Sequence, residues 1–284
     1  MKIYVLKVDK KFRPTSQPFL YPVHNKDYGV EQDFYNYLIK RNEIVVDTPD
    51  KANWHYLPIY WTRWHLNHEY GKAGLAELQR EVDRIVIDGK RTFTVCQYDD
   101  GPIVKLSKAR IFLSSRKNKQ GEDIPLLSSS HKLPLIKPRK KYLASFVGRI
   151  ATHSIRSEMQ RNLAKTEGVY IVDGDLGESA YVKVLLQSYV ALCPRGYGGS
   201  SFRFYEAMQL GIVPFLIGDV DTRPFKKEID WDRFSFYGSS PKNVMNSIKK
   251  RSTQQLIDMG KEARKVWGRI GYGKWCKYLL EELE

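Results

Sequence analysis

Segments with strand-like and helix-like spacing of apolar residues follow one another along most of the chain. In the first half, alternating or continuous apolar runs predict strands at residues 2–8, 43–46, 55–59 and 91–97. Apolar positions at helical spacing predict helices at residues 30–40 and 75–87. This succession of strands and helices is typical of α/β proteins built on parallel sheets.

The second half of the chain continues the same pattern. Apolar runs predict strands at residues 142–147, 169–172, 189–193 and 213–217, and helical spacing predicts helices at residues 154–164 and 201–210. A long helix over about residues 254–282, broken near residues 271–273, is predicted to follow them.

A segment rich in Ser, Pro, Lys and Gly at residues 116–139 predicts a linker between the two halves. We therefore predict an α/β fold of two Rossmann-like domains, residues 1–140 and 141–284, with the final helix able to cross back to the first domain. Ligands of open α/β sheets bind beyond the carboxyl ends of the strands, so a cleft between the domains is the expected site.

The chain carries a formal charge of +15, which attracts anions such as nucleic acid, anionic lipid or a nucleotide sugar. A nucleic-acid-binding protein is one interpretation, but the basic residues are scattered and form no known motif. No run of apolar residues is long enough to predict a membrane span, and the N-terminus does not resemble a signal peptide. The three cysteines are odd in number and widely spaced, which favours a cytoplasmic protein.

Residues 189–217 are the most informative segment for chemistry. An apolar strand is followed by a glycine-rich loop that includes Gly196, and Ser200 or Ser201 is predicted to cap a helix that ends before Gly211. The N-terminus of such a helix presents unpaired N–H groups to an anion, and glycines let the backbone approach it.

Two arginines and a carboxylate lie on this segment. Arg195 follows the strand and Arg203 lies in the first helical turn, so both are predicted to reach one pyrophosphate group. Glu206 lies one turn after Arg203, where its carboxylate can accept hydrogen bonds from ribose hydroxyls. The alternative is that Arg203 and Glu206 form an ordinary surface ion pair.

The motifs Cys193-Pro-Arg-Gly, Ser201-Phe-Arg-Phe-Tyr-Glu-Ala and Gly211-Ile-Val-Pro together resemble the donor-site signature of the exostosin family of glycosyltransferases. Weaker similarity includes Tyr28-Gly-Val-Glu-Gln-Asp-Phe and Phe146-Val-Gly-Arg. The resemblance implies the two-domain glycosyltransferase-B fold, a UDP-sugar donor, a carbohydrate acceptor, inversion at the anomeric carbon and no divalent metal. It also implies that Arg195, Arg203 and Glu206 bind the donor.

The sequence departs from the family pattern at Tyr197 and the two glycines after it, where relatives commonly have Arg or an acidic residue. Many eukaryotic relatives also have a membrane anchor. The compact, anchorless pattern resembles the exostosin-like enzymes of large algal viruses or bacteria, and pentose transfer by the viral ones favours UDP-xylose as donor. A non-catalytic exostosin-like protein that binds a glycan is the alternative.

Inversion needs a base, which we expect from the first domain. Asp99 and Asp100 follow a predicted strand and therefore lie at its carboxyl end. The alternative for this pair is a turn before Gly101, and Glu69 is a competing base. Gly148 and Arg149 end the first strand of the second domain, where they are expected to contact the donor phosphates unless Arg149 forms a strand-end salt bridge.

The loop predicted at residues 61–70 is rich in aromatic residues. Trp61, Trp64 and His65 are candidates for stacking on an acceptor sugar, with buried aromatic packing as the alternative. Three Asp-x-Asp triplets, which begin at Asp173, Asp219 and Asp230, have no further ligand spacing, so they are interpreted as turns and no metal site is predicted.

Overall fold

The computed structural model describes residues 1–18, 29–118, 120–128 and 130–284, so Tyr28 of the predicted motif lies outside the described residues. These residues form two compact units: unit 1 comprises Met1–Leu127 with Tyr272–Glu284, and unit 2 comprises Ser128–Gly271. The division precedes the predicted boundary at residue 141, because the linker segment from Ser128 onward belongs with unit 2.

Unit 1 is built on a parallel six-stranded sheet. Its strands are β1 (Ile3–Val5), β2 (Val45–Val46), β3 (Trp54–Tyr56), β4 (Thr92–Cys96), β5 (Arg110–Leu113) and β6 (Glu122–Asp123), in the spatial order β2-β1-β3-β4-β5-β6. Its first three helices are α1 (Val30–Leu38), α2 (Trp61–Asn67) and α3 (Leu75–Ile85). The four strands and two helices predicted for this half are present, whereas β5 and β6 were not predicted.

Helix α2 corrects the predicted aromatic loop. Trp61, Trp64 and His65 lie on one helical face and are at most 1% exposed. Trp61 Nε1 donates to Thr94 Oγ1 of β4 at 2.8 Å, and His68 stacks on Trp64 with ring centroids 4.0 Å apart. Aromatic residues at spacings of three and four therefore place this helix in the unit 1 core.

Unit 2 is built on a parallel five-stranded sheet. Its strands are β7 (Tyr142–Val147), β8 (Val169–Val172), β9 (Ser188–Pro194), β10 (Val213–Ile217) and β11 (Phe236–Gly238), in the order β11-β10-β9-β7-β8. Its helices are α4 (Ser154–Leu163), α5 (Glu178–Leu186), α6 (Phe202–Leu210), α7 (Val244–Lys249) and α8 (Thr253–Ile270). With two parallel α/β sheets in one chain, the predicted fold class is confirmed.

The strand order of unit 2 reverses at β7. The chain passes from β7 to β8 on one side and then returns to place β9 on the other side. At such a reversal the connections leave in opposite directions and open a crevice at the carboxyl ends of the two strands. The ends of β7 and β9 therefore define the expected binding position of this sheet.

Residues Tyr272–Glu284 complete unit 1. The predicted break in the long helix is present, since α8 ends at Ile270 and α9 spans Cys276–Glu282. Asp33 Oδ2 of α1 accepts hydrogen bonds from Gly273 N at 2.6 Å and from Trp275 Nε1 at 3.0 Å. The Trp275 side chain is fully buried, with its ring 5.8 Å from that of Phe34.

Two glycines on α8 provide a matched test of packing. A Cβ at Gly260 would collide with the carbonyl oxygen of Gly211, which follows α6, whereas a Cβ at Gly268 would meet nothing within 4 Å. We expect Gly260→Ala to lower the free energy of unfolding by about 1–3 kcal/mol. Gly268→Ala should raise it by about 0.5–1 kcal/mol because alanine favours a helix over glycine. Urea unfolding measures both, and equal effects would contradict the contact.

None of the helices in the described part of the chain combines the length and the apolar character that a membrane crossing requires.

Candidate functional site

The ends of β7 and β9 and the start of α6 form the candidate donor site. Ser201 occupies the position before the helix with extended backbone, φ −144° and ψ 132°, but its side chain caps no helix N–H group. The predicted side-chain cap is therefore absent at Ser201, and both Ser200 and Ser201 are buried. An N-terminus without a side-chain cap leaves its N–H groups to other acceptors.

Arg203 crosses from α6 to the end of β7. Its guanidinium donates to the carbonyl oxygen of Val147, and the guanidinium carbon lies 4.4 Å from the ring centroid of Phe146. Gly148 has φ of +150°, and a Cβ there would lie 2.5 Å from Arg203 Nη2. A side chain at residue 148 would therefore strain the backbone and displace the guanidinium from its present position.

Arg195 is buried directly after β9. Its guanidinium donates to a carboxylate oxygen of Asp219 and, at 3.3 Å, to the carbonyl oxygen of Tyr197. The Asp219 side chain is 66% exposed. Burial would raise the pKa of Asp219, but the hydrogen bond and charge of Arg195 outweigh it and leave that pKa lowered. Asp219 is therefore an anion that already pairs with Arg195, the arginine predicted to bind phosphate.

A third arginine, Arg156 of α4, bridges the ends of β7 and β9. Its side chain donates to the carbonyl oxygen of Arg149 at 2.9 Å and to that of Arg195 at 3.0 Å. A Cβ at Gly196 would lie 3.1 Å from Arg156 Nη2. The sequence analysis assigned no role to Arg156, because its backbone-carbonyl partners come from distant segments of the chain.

Arg149 and Gly148 lie where the sequence predicts, at the end of β7. The Arg149 side chain is exposed and forms no ion pair among the described residues, so the salt bridge weighed as an alternative is not seen there. The exposed guanidinium is available to an anion at this edge of the sheet.

Glu206 is buried rather than part of a surface ion pair. The Tyr181 hydroxyl of α5 donates to Glu206 Oε2, and His131 Nε2 lies 3.4 Å from Glu206 Oε1. His131 Nδ1 lies 3.1 Å from Glu178 Oε1. Sequence reasoning missed His131 and Tyr181, because both come from segments with no motif of their own.

The pKa values of this cluster follow from its contacts. Burial lowers the pKa of His131, but the hydrogen bond and charge of Glu206, with those of Glu178, outweigh it and raise that pKa above 6.5. Burial raises the pKa of Tyr181 well above its ordinary value, and the nearby Glu206 carboxylate acts in the same direction. His131 is thus favoured as the imidazolium and Tyr181 as the neutral phenol.

The candidate bases of unit 1 lie in turns. Asp99 and Asp100 follow β4 in a turn closed by the hydrogen bond from Gly101 N to Tyr98 O at 2.9 Å, and Asp100 is paired with Lys117. Glu69 is exposed, with a left-handed backbone at φ 52°. The turn that was the alternative for the Asp pair is present, and it leaves both carboxylates at the carboxyl end of the sheet.

The three candidate acceptor residues do not form an open surface. Trp61, Trp64 and His65 are buried in the core described above, and burial lowers the pKa of His65 to about 4. Stacking of an acceptor sugar on these rings is therefore contradicted by their burial, and aromatic packing accounts for them.

A buried carboxylate that sequence reasoning left without a role joins three elements of unit 1. Glu31 Oε1 accepts hydrogen bonds from Thr62 Oγ1 at 2.7 Å, from Thr62 N at 3.1 Å and from Gln97 N at 3.1 Å. Burial raises the pKa of Glu31, although these hydrogen bonds oppose the change. Glu31 thereby fixes the starts of α1 and α2 against the carboxyl end of β4.

The acidic triplets are engaged in loop contacts. Asp173 accepts from Ile150 N at 2.8 Å and Asp175 from Gly177 N at 2.7 Å, while Asp221 and Asp232 both pair with Arg223. Among the described residues, no group of three or more His, Cys, Asp or Glu side chains is arranged to hold a metal ion.

The class of protein follows from this arrangement and from the family comparison. Residues 87–251, which run from unit 1 through nearly all of unit 2, match the Exostosin GT47 domain. This match covers more than half of the chain, so the chain belongs to the exostosin GT47 family, as the donor-site motif predicted. The whole donor-site arrangement of β7, β9 and α6 lies inside the matched range.

Individual relatives are more distant. The chain is 25% identical over 155 residues to Exostosin-1 of Drosophila melanogaster, covering 46% of this chain and 20% of that protein. It is 24% identical over 197 residues to Exostosin-1a of Danio rerio, covering 57% and 27% respectively. The chain thus spans about a quarter or less of these curated relatives. A crystal structure of TarM is similar at 10% identity and a TM-score of 0.38, covering 68% of this chain and 55% of that one.

Proposed function

We propose that the chain is a glycosyltransferase that moves a sugar from a UDP-sugar to a carbohydrate hydroxyl, with inversion and without a divalent metal. The observation that carries the proposal is the placement of three features at the carboxyl ends of β7 and β9: Arg195 directly after β9, Arg203 against the last residue of β7, and the start of α6 without a side-chain cap. In this proposal a diphosphate binds there, and Glu206 accepts hydrogen bonds from the ribose hydroxyls.

Fixed positive charge supplies the stabilisation that the leaving group needs. In an inverting transfer the acceptor oxygen attacks the anomeric carbon as the bond to UDP breaks, so negative charge develops on the β-phosphate. Two guanidinium groups and a helix N-terminus are preorganised for that charge, and loss of one such contact typically costs about 10²–10³ in rate. Arg149, exposed at the end of β7, adds a third cation at the same edge.

Asp219 and Asp99 take the remaining roles in this proposal. Asp219 pairs with Arg195, so a diphosphate that binds there exchanges one anion for another at the same guanidinium. Asp99, in the turn after β4, is the proposed base, with Asp100 and Glu69 as the competing carboxylates. UDP-xylose is the favoured donor, and the free, buried cysteines fit a cytoplasmic location.

Ligand-induced stabilisation tests the proposal. Wild-type protein is melted with UDP, GDP and separate UDP-sugars, with and without EDTA. At 100 times its dissociation constant a ligand should stabilise the fold by about 2.7 kcal/mol. We expect a rise in melting temperature with UDP and UDP-xylose that EDTA does not remove. The absence of any shift with uridine nucleotides would contradict the donor site, and a shift lost in EDTA would contradict metal independence.

A further inference from the structure

The Glu206 carboxylate has a side chain from another part of unit 2 beside each of its oxygens. The Tyr181 hydroxyl donates to Oε2, and His131 Nε2 faces Oε1 at 3.4 Å. The opposite nitrogen of the same imidazole faces Glu178 Oε1 at 3.1 Å. The His131 and Glu206 side chains are only 1% and 3% exposed, so water cannot readily replace the contact between them, whereas the Glu178 side chain is 53% exposed.

The positions of the two carboxylates around the His131 ring favour the doubly protonated imidazolium. An imidazole that faces a carboxylate oxygen with each of its nitrogens can donate to both only when both nitrogens carry protons. The neutral ring would direct one lone pair at a carboxylate in a buried site, which is unfavourable. The cluster therefore balances two carboxylates against one imidazolium.

We propose that His131 is a positioning residue for donor recognition: as the imidazolium, and together with Tyr181, it fixes the Glu206 carboxylate in the orientation that binds the ribose hydroxyls. This inference rests on the proposed function of Glu206. His131 also offsets negative charge that would otherwise accumulate beside a bound diphosphate. Its backbone N–H, 3.4 Å from Gln209 Oε1 of α6, links the segment to the same helix.

Donor affinity should therefore depend on pH, and the charged groups around His131 determine the direction of that dependence. Glu206 and Arg203 lie on α6, and Glu178 and Tyr181 lie on α5. The carboxylates favour the imidazolium, so the pKa of His131 is raised from 6.5. The stabilisation is then complete below pH 6.5 and is lost as the pH rises through the folded-state pKa. Donor affinity should fall over the same pH range.

Calorimetric titration with UDP and 2′-deoxy-UDP at pH values from 6 to 9 tests the inference. A site that binds a hydroxyl discriminates against the analogue that lacks it. We expect wild-type protein at pH 6 to prefer UDP by about tenfold, the effect of one hydrogen bond to a charged group. The preference should shrink as the pH rises. His131→Gln should lose most of the preference seen at pH 6 and show little further change with pH, and Tyr181→Phe should lose part of the preference.

The matched control is Glu262→Gln, which removes an exposed i,i+3 pair with Lys265 on α8. It should leave both dissociation constants and their pH dependence unchanged. Each comparison is made with wild type at the same pH, so ionisation of the nucleotide cancels. A preference for UDP in His131→Gln at pH 6 equal to that of wild type at pH 6 would overturn the inference while leaving the proposed function intact.

An NMR titration of the His131 ring without nucleotide gives a second readout, which holds even if His131→Gln does not fold. The ring should titrate above 6.5 in wild type and return toward its ordinary value in Glu206→Gln. If wild-type protein fails to bind UDP, the proposed function fails, and the inference fails with it. If UDP binds but the ring titrates at or below 6.5, the inference alone is overturned.

Discussion

Arg203→Ala is expected to weaken UDP binding and sugar transfer by about 100-fold or more while the protein stays folded. The guanidinium binds the Val147 carbonyl and covers Phe146, so its loss removes the cation at the crevice and little of the unit 2 core. Arg203→Lys keeps the charge but loses the planar fork, so it should restore only part of the affinity. Titration calorimetry with UDP and steady-state kinetics measure these effects.

The control for this substitution is Arg161→Ala on α4, which removes an exposed arginine away from the crevice. It should change UDP affinity less than twofold, since removal of a distant exposed charge costs about 0–0.4 kcal/mol. Equal losses in the two variants would mean that UDP binds through the general positive field, and the assigned role of Arg203 would be wrong.

Gly148→Ala is expected to weaken donor binding strongly and to destabilise unit 2. The added methyl group would meet Arg203 Nη2 at 2.5 Å in a backbone conformation that alanine rarely adopts. We expect the free energy of unfolding to fall by about 2–4 kcal/mol, from backbone strain together with overpacking. The displaced guanidinium should weaken UDP binding about as much as Arg203→Ala does.

Gly174→Ala distinguishes the effect of backbone strain from the effect of the contact with Arg203. Gly174 also has a positive φ, +123°, but a Cβ there would meet nothing within 4 Å. It should therefore show the cost of strain, about 1–3 kcal/mol, with UDP affinity nearly retained. A loss of binding in Gly174→Ala as large as that in Gly148→Ala would show that backbone strain, and not the contact with Arg203, controls the site.

Much of unit 2 could be predicted because its elements are regular and clearly bounded. β7, β8 and β10 have the predicted limits, and α6 ends where Gly211 adopts a left-handed backbone. β6 and β11 have two and three residues, too few for an apolar period to be visible. Helix α2 was predicted as a loop, with sugar stacking and buried aromatic packing as alternatives for its rings; the spacing of three and four residues fits the buried helical face that the structure shows.

Some residues of the candidate site could also be predicted from the sequence, and others could not. Arg195 and Arg203 could be placed from sequence, because a strand end and a first helical turn fix their positions. Their partners could not: Asp219, Val147 and Phe146 reach them only through the packing of neighbouring strands. His131 was missed for the same reason, since its contact with Glu206 depends on the path of a segment without regular structure.

Unit 1 is built from two separate stretches of the chain, and this affects the order in which the two units are completed during translation. Unit 2 is one continuous stretch, whereas the core of unit 1 includes the fully buried Trp275 and the hydrogen bonds from Gly273 and Trp275 to Asp33. During translation, residues Met1–Leu127 emerge first but lack part of their core until Tyr272–Glu284 is made. All of unit 2 therefore emerges from the ribosome before the last segment of unit 1, the reverse of the usual N-terminal-first order. Until that segment emerges, we expect the nascent unit 1 to expose the part of its core that Trp275 covers.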